Sequence, residues 1–142
     1  MQKGIDHIGL TVVYFCHDGK GNYLLAKRGV NTRDEQGTWD FGAGAVEFDD
    51  SVIGTLKKEI KEEYCTDVLS YEFMGYRDVQ REHNGKKTHW IALDFKVLVD
   101  KAKVANGEPH KFEQIGWFTP DNLPSPLIST APGFLEKYKG KL

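Results

Sequence analysis

The chain has 142 residues, 39% of them hydrophobic and 28% charged, with a formal net charge of −2. That size suits one domain with its own core, and the charge lacks the basic excess that a nucleic-acid surface or a polybasic membrane patch requires. No apolar run approaches the roughly 20 residues that span a bilayer, the N-terminal MQKGIDHIGL has no signal-peptide h-region, and Cys16 and Cys65 lack CxxC spacing, as reduced thiols do.

The β-branched and aromatic run IGLTVVYFC (residues 8–16) predicts a strand. The polar turn HDGKGN leads to YLLAKRG (23–29), predicted as the returning strand of a hairpin. VNTRDEQG is a polar loop without a period. Trp39 and Phe41 lead into a glycine turn, and Val46 to Phe48 is expected to be a short extended piece. Between Ser51 and Tyr64, Val52, Leu56, Ile60 and Tyr64 recur every fourth position, which is helical spacing, with Asp49, Asp50 and Ser51 as N-cap candidates. Residues 69–82 and 87–99 read as two long strands around an Asn84-Gly85 turn. EQIGWFT (113–119) reads as a further strand, PDNLPSPL as a loop, and APGFLEKYKGKL (131–142) as a terminal helix. The sum is an α/β or α+β chain with a mixed sheet, expected to form a single domain over residues 1–142.

The central helix carries a local conflict. Glu59, Glu62 and Glu63 share one face at i, i+3, i+4, beside the apolar Leu56 and Ile60, while Lys57, Lys58 and Lys61 point away. Like charges at that spacing disfavour a helix by about 0.2–0.5 kcal/mol, and carboxylates in the last turn oppose the macrodipole by about 0.3–1 kcal/mol each. One explanation is a solvated charged face. The other is a divalent-cation site, because hard cations take oxygen ligands and convert carboxylate repulsion into binding.

What precedes the helix favours the second explanation. Residues Trp39 to Thr66 resemble the Nudix box, G-x5-E-x7-R-E-U-x-E-E-x-G-U, where U is aliphatic. Gly44 matches the first glycine, Glu59 and the Glu62-Glu63 pair match the glutamates, and Ile60 fills the aliphatic position. Asp50 stands for the first glutamate, Lys58 for the arginine, Cys65 for the last glycine and Thr66 for the last aliphatic residue. Gly42-Ala43-Gly44 replaces the usual Pro-Gly-Gly. YLLAKRG and QIGWFTPDNLP extend the resemblance over nearly the whole chain.

The resemblance implies a Nudix-like α/β/α sandwich around a mixed central β-sheet. It also implies a hydrolase that cleaves a nucleoside diphosphate linked to another moiety by attack of water on phosphorus. By the same resemblance, Glu59, Glu62 and Glu63, with the Ala43 carbonyl, hold Mg²⁺ or Mn²⁺. Glu59 also activates water, and Lys58 steadies Glu59 or Glu62. Glu113, before Glu108, is the expected extra acid from the loop ahead of the closing strand. Arg28, Gly44, Lys58 and Phe41 form the expected substrate contacts, with Tyr76 and Trp117 as further stacking candidates. The expected substrate is a small-molecule nucleotide, a nucleoside triphosphate first. ADP-ribose or a nucleotide sugar is the alternative, and a nucleotide-binding module with weak catalysis is a third reading. No nucleic-acid or membrane partner is expected, a homodimer is compatible with the sequence, and the expected location is the cytoplasm.

Overall fold

The computed structural model describes residues 1–142. Its elements run β1 (Gly9–His17), β2 (Tyr23–Arg28), β3 (Trp39–Asp40), β4 (Ala43–Ala45), α1 (Val52–Tyr64), β5 (Val68–His83), β6 (Lys86–Val99), β7 (Phe112–Phe118) and α2 (Ala131–Lys137). A 3₁₀ turn at Lys101–Lys103 follows β6. No helix is long and apolar enough to cross a membrane.

The sheet is mixed, in the order β3-β2-β1-β6-β5, with β4 paired to β1 and β7 to β2. β1 divides the molecule by its own alternation, since successive side chains point to opposite faces. Val12, Tyr14 and Cys16 join Leu56, Ile60 and Tyr64 of α1 in one core. Val13 and Phe15 join Ala131, Phe134 and Tyr138 of the C-terminal region in the other. The result is a helix–sheet–helix sandwich, as the family resemblance implies.

Three local differences from the sequence reading have physical causes. β1 and β2 pair only at His17 with Tyr23, so the hairpin exists at its tip alone. Beyond it β1 pairs in parallel with β6, from Gly9 with Trp90 to His17 with Leu98, while β2 turns to β7. The short extended piece falls at Ala43–Ala45 rather than Val46–Phe48, because those three small residues align antiparallel with Thr11–Val13. The helical period ends earlier than the sequence suggests, leaving α2 at Ala131–Lys137 and turns to the terminus.

A bulge in β5 places the residues that matter most for the cleft. Pairing with β6 slips between Phe73 and Gly75, where Gly75 takes φ 149°, a region that favours glycine. A one-residue slip swaps the faces of everything beyond it. Phe73 therefore lies tilted against Phe95 of the α1 core, ring centres 5.4 Å apart, whereas Arg77 pairs with Ala92 and Val79 packs on the α2 core.

Candidate active site

α1 begins where Ser51, in extended geometry, accepts the Gly54 N–H at 2.9 Å. It ends at Cys65, which takes the left-handed conformation (φ 61°) that a glycine would adopt most easily and donates its N–H to the Lys61 carbonyl. The next carbonyls are met by the loop before β7: Ala105 N–H donates to Tyr64 O at 3.0 Å and Gly107 N–H to Glu63 O at 2.9 Å. These donors satisfy part of the negative helix end and so lessen the conflict of placing carboxylates there.

The three helical carboxylates sit at different depths. Glu62 is exposed, Glu59 half-buried, and Glu63 only 2% exposed. Burial pushes Glu63 up to about 8, although Lys111 pulls it the other way. Burial also raises Glu59, with repulsion from Glu62 adding to it. Glu63 Oε1 is buried without a hydrogen-bond partner.

Gly44 governs how close Glu59 comes to β4. A Cβ at Gly44 would lie 2.3 Å from Glu59 Cγ and 2.5 Å from Cδ, so only glycine leaves room for this carboxylate against the strand. Gly44→Ala is expected to displace Glu59 and lower turnover by about 10²-fold, the scale of an ångström-sized misplacement, with the circular dichroism spectrum retained. An unchanged rate would remove Glu59 from the chemistry.

Gly44 also lines a cleft of about 290 Å³ together with Ala43, Arg28, Asp40, Arg77, Arg81 and Trp90. This space shares Arg33, Asp34, Arg81 and Trp90 with a neighbouring cleft of about 520 Å³. Three of the arginines are held by acids: Arg28 by Asp34 at 2.9 Å, Arg81 by Glu35 at 3.0 Å, and Arg77 by Asp94 at 2.7 Å. Arg33 is 80% exposed and lies 3.5 Å from Asp34. Guanidinium groups with spare donors along a groove form a ready phosphate-binding surface.

The anticipated residues distribute unevenly. Glu59, Gly44, Ala43 and Arg28 meet at or beside the cleft. Ala43 lies in β4 without a positive φ, so the non-glycine residue is accommodated in strand geometry. Lys58 reaches Asp50 at 3.5 Å rather than making an ion pair with Glu59 or Glu62, although its charge still lowers Glu59 from a distance. Phe41 is a correction. It is 1% exposed, packed edge-on against Phe15, Tyr23 and Phe134, and cannot offer its ring to a base. Its carbonyl instead accepts the Tyr64 hydroxyl at 2.8 Å, tying the helix end to the glycine turn.

The order of the two loop acids also reverses. Glu113 pairs with Lys27 at 3.0 Å and is half exposed. Glu108 is the acid whose charge bears on Glu59 and Glu63, because the Gly107 contact seats its loop on the end of α1. Sequence reasoning passed over Lys111, 3.8 Å from both Glu63 and Glu108, and the inward-facing Arg77 and Arg81. The Phe73–Gly75 bulge that turns those arginines inward leaves no local signature beyond one glycine.

No group of three or more His, Cys, Asp or Glu side chains is gathered closely enough to hold a metal ion as the side chains stand. The donor chemistry nevertheless fits a hard divalent cation: the donors are oxygens, they repel one another, and one buried carboxylate oxygen is unpartnered.

The family model described as "NUDIX domain" matches residues 7–138. The CTP pyrophosphohydrolase of Escherichia coli (strain K12) is 29% identical over 133 residues, covering 91% of this chain and 90% of that protein. The crystal structure of a MutT NUDIX hydrolase from Burkholderia pseudomallei superposes with a TM-score of 0.78 at 26% identity, covering 90% of this chain and 95% of that one. The MutT protein from Methanosarcina mazei Go1 gives a TM-score of 0.72 at 24% identity, over 92% of each chain, and supports the fold.

Proposed function

Because the chain belongs to the Nudix family and is a hydrolase of phosphoric anhydride bonds, we propose that it is a nucleotide pyrophosphohydrolase whose substrate is a nucleoside triphosphate, cleaved with the help of a divalent cation. One observation carries this reading. Gly44 touches the Glu59 side chain and at the same time lines the arginine cleft, so the carboxylate face and the anion-binding groove share one strand.

Mg²⁺ or Mn²⁺ would be held by Glu59, Glu62 and Glu63 with the Ala43 carbonyl, where it supplies charge neutralisation to phosphoryl oxygens and acidifies water. The protein's own groups do the rest. Arg28, Arg33 and Arg81 draw the polyphosphate along the cleft and hold it there. Glu59, made more basic by burial and by the neighbouring Glu62, is suited to take the proton of the attacking water. Lys58 keeps Asp50 at the start of α1 and contributes positive charge near Glu59. Because little covalent chemistry is needed, positioning and electrostatic stabilisation account for most of the rate.

The test is to incubate the protein with Mg²⁺ and, separately, CTP, the other nucleoside triphosphates, ADP-ribose, nucleotide sugars and dinucleoside polyphosphates, following products by phosphorus NMR. CTP leads the panel because the Escherichia coli relative is a CTP pyrophosphohydrolase. Release of nucleoside monophosphate and pyrophosphate from a triphosphate is the expected result. Binding without turnover anywhere in the panel would instead make this chain a nucleotide-binding module.

A further inference from the structure

One cation outside the Nudix box stands among its carboxylates. Lys111 Nζ lies 3.8 Å from Glu63 Oε2 and 3.8 Å from Glu108 Oε2. The backbone beneath it is fixed at both polar groups: its N–H donates to Glu108 O and its carbonyl accepts from Gly29 N–H, each at 2.9 Å. Its ammonium passes 5.1 Å from the centre of the Phe112 ring. The side chain is 39% exposed, so it can swing to solvent without disturbing that backbone.

The ammonium satisfies the site only in part. Glu63 Oε1, buried and unpartnered, receives nothing from it. A single positive charge also cannot balance Glu59, Glu62 and Glu108 together, whatever the state of Glu63. A divalent cation brought to the same carboxylates would repel Lys111 Nζ from the distances observed, since like charges a few ångströms apart interact strongly near a protein surface.

We propose that Lys111 is a built-in counter-cation, its ammonium standing among Glu63 and Glu108 in place of a divalent cation and leaving when that cation loads, so that this side chain sets the metal affinity of the site. The inference rests on the metal placement given under Proposed function. The lysine keeps a repulsive carboxylate cluster assembled, at the cost of weaker metal binding.

The test is a Mn²⁺ titration of the protein without nucleotide, reading free Mn²⁺ by electron paramagnetic resonance, on wild type, Lys111→Met, Lys111→Arg and Glu62→Gln. Lys111→Met is expected to bind Mn²⁺ about tenfold more tightly, the scale of losing one partly exposed like charge nearby. Lys111→Arg, which retains the charge, is expected to stay within about twofold of wild type. Glu62→Gln, which leaves the lysine's two contacts intact, is expected to weaken binding. If wild type binds Mn²⁺ and Lys111→Met is unchanged or weaker, the counter-cation role is overturned while the metal site stands. If neither wild type nor Lys111→Met binds, or if Glu62→Gln has no effect, the site reading falls and this inference falls with it. Lys111→Gln gives the same comparison should the Met variant fail to fold by circular dichroism.

Discussion

Glu63→Gln is expected to lower turnover by about 10²–10³-fold while making the metal-free protein more stable. The loss of rate is on the scale of weakening the cation that would neutralise charge on the phosphoryl oxygens, since Glu63 is one of its proposed ligands. The gain in stability follows from burial: Glu63 is 2% exposed, one of its oxygens is unpartnered, and its ionisation is pushed up to about 8 from 4.5. At pH below 4.5 the group is protonated in both folded and unfolded chains, so the two proteins should differ little. Between 4.5 and 8 the unfolded chain ionises while the folded one retains the proton, and wild-type stability falls by up to about 1.4 kcal/mol per pH unit. Above 8 the penalty is complete and constant. A glutamine side chain does not titrate, so the variant's advantage should open across that window. Urea melts of both proteins in EDTA at about pH 5 and pH 8, near the two ends of the window, measure it, and parallel pH dependence would contradict the burial argument.

Asp94→Ala carries the largest expected loss of stability. Asp94 is fully buried on β6 and accepts from Arg77 on β5 through both oxygens, Nε at 2.7 Å and Nη2 at 2.8 Å. The Tyr138 hydroxyl, just past α2, donates to the same carboxylate. Arg77 is 12% exposed and stacks over Phe134 of α2, 5.1 Å from the ring centre. Removing the acid strands a guanidinium between sheet and helix, a loss worth about 3–5 kcal/mol. Against a total stability of about 5–15 kcal/mol for an ordinary domain, that brings the fold close to its limit. Tyr138→Phe should cost about 1 kcal/mol, since it deletes one hydrogen bond and strands no charge. Denaturant titrations that place Asp94→Ala within about 1 kcal/mol of wild type, the scale of a single hydrogen bond, would show that the network does not hold α2 to the sheet.

How far the sequence could be read depends on the range of each signal. The period of α1 and its Ser51 cap are local, and both were legible. The spacing from Gly44 to Glu63 was legible too, because a turn and a helix convert linear spacing directly into a shared face. The identity of strand partners was not: nothing in IGLTVVYFC indicates that β1 lies parallel to β6 or takes β4 along part of its other edge. Phe41 shows the same limit at a single residue, since an aromatic beside a glycine turn suits a base-stacking wall or a core equally well. Glu108 and Glu113 were ranked by nearness to the closing strand, whereas hydrogen bonds from Ala105 and Gly107 to the end of α1 decide which acid arrives.

The parallel pairing of β1 with β6 also sets an order for folding. β5 and β6 are joined by a two-residue turn at Asn84 and Gly85, both with positive φ, and can zip together as soon as they exist. β1 must instead wait for a partner roughly 80 residues away, and loop closure over that distance has to precede any reward from the pairing. During synthesis the first-made strand thus completes its long parallel pairing only after most of the chain has followed it. Until residue 99 leaves the ribosome, the apolar run from Val12 to Cys16 has only β4 and the tip of β2 to pair with, and its open edge is an aggregation hazard for a delayed or truncated chain.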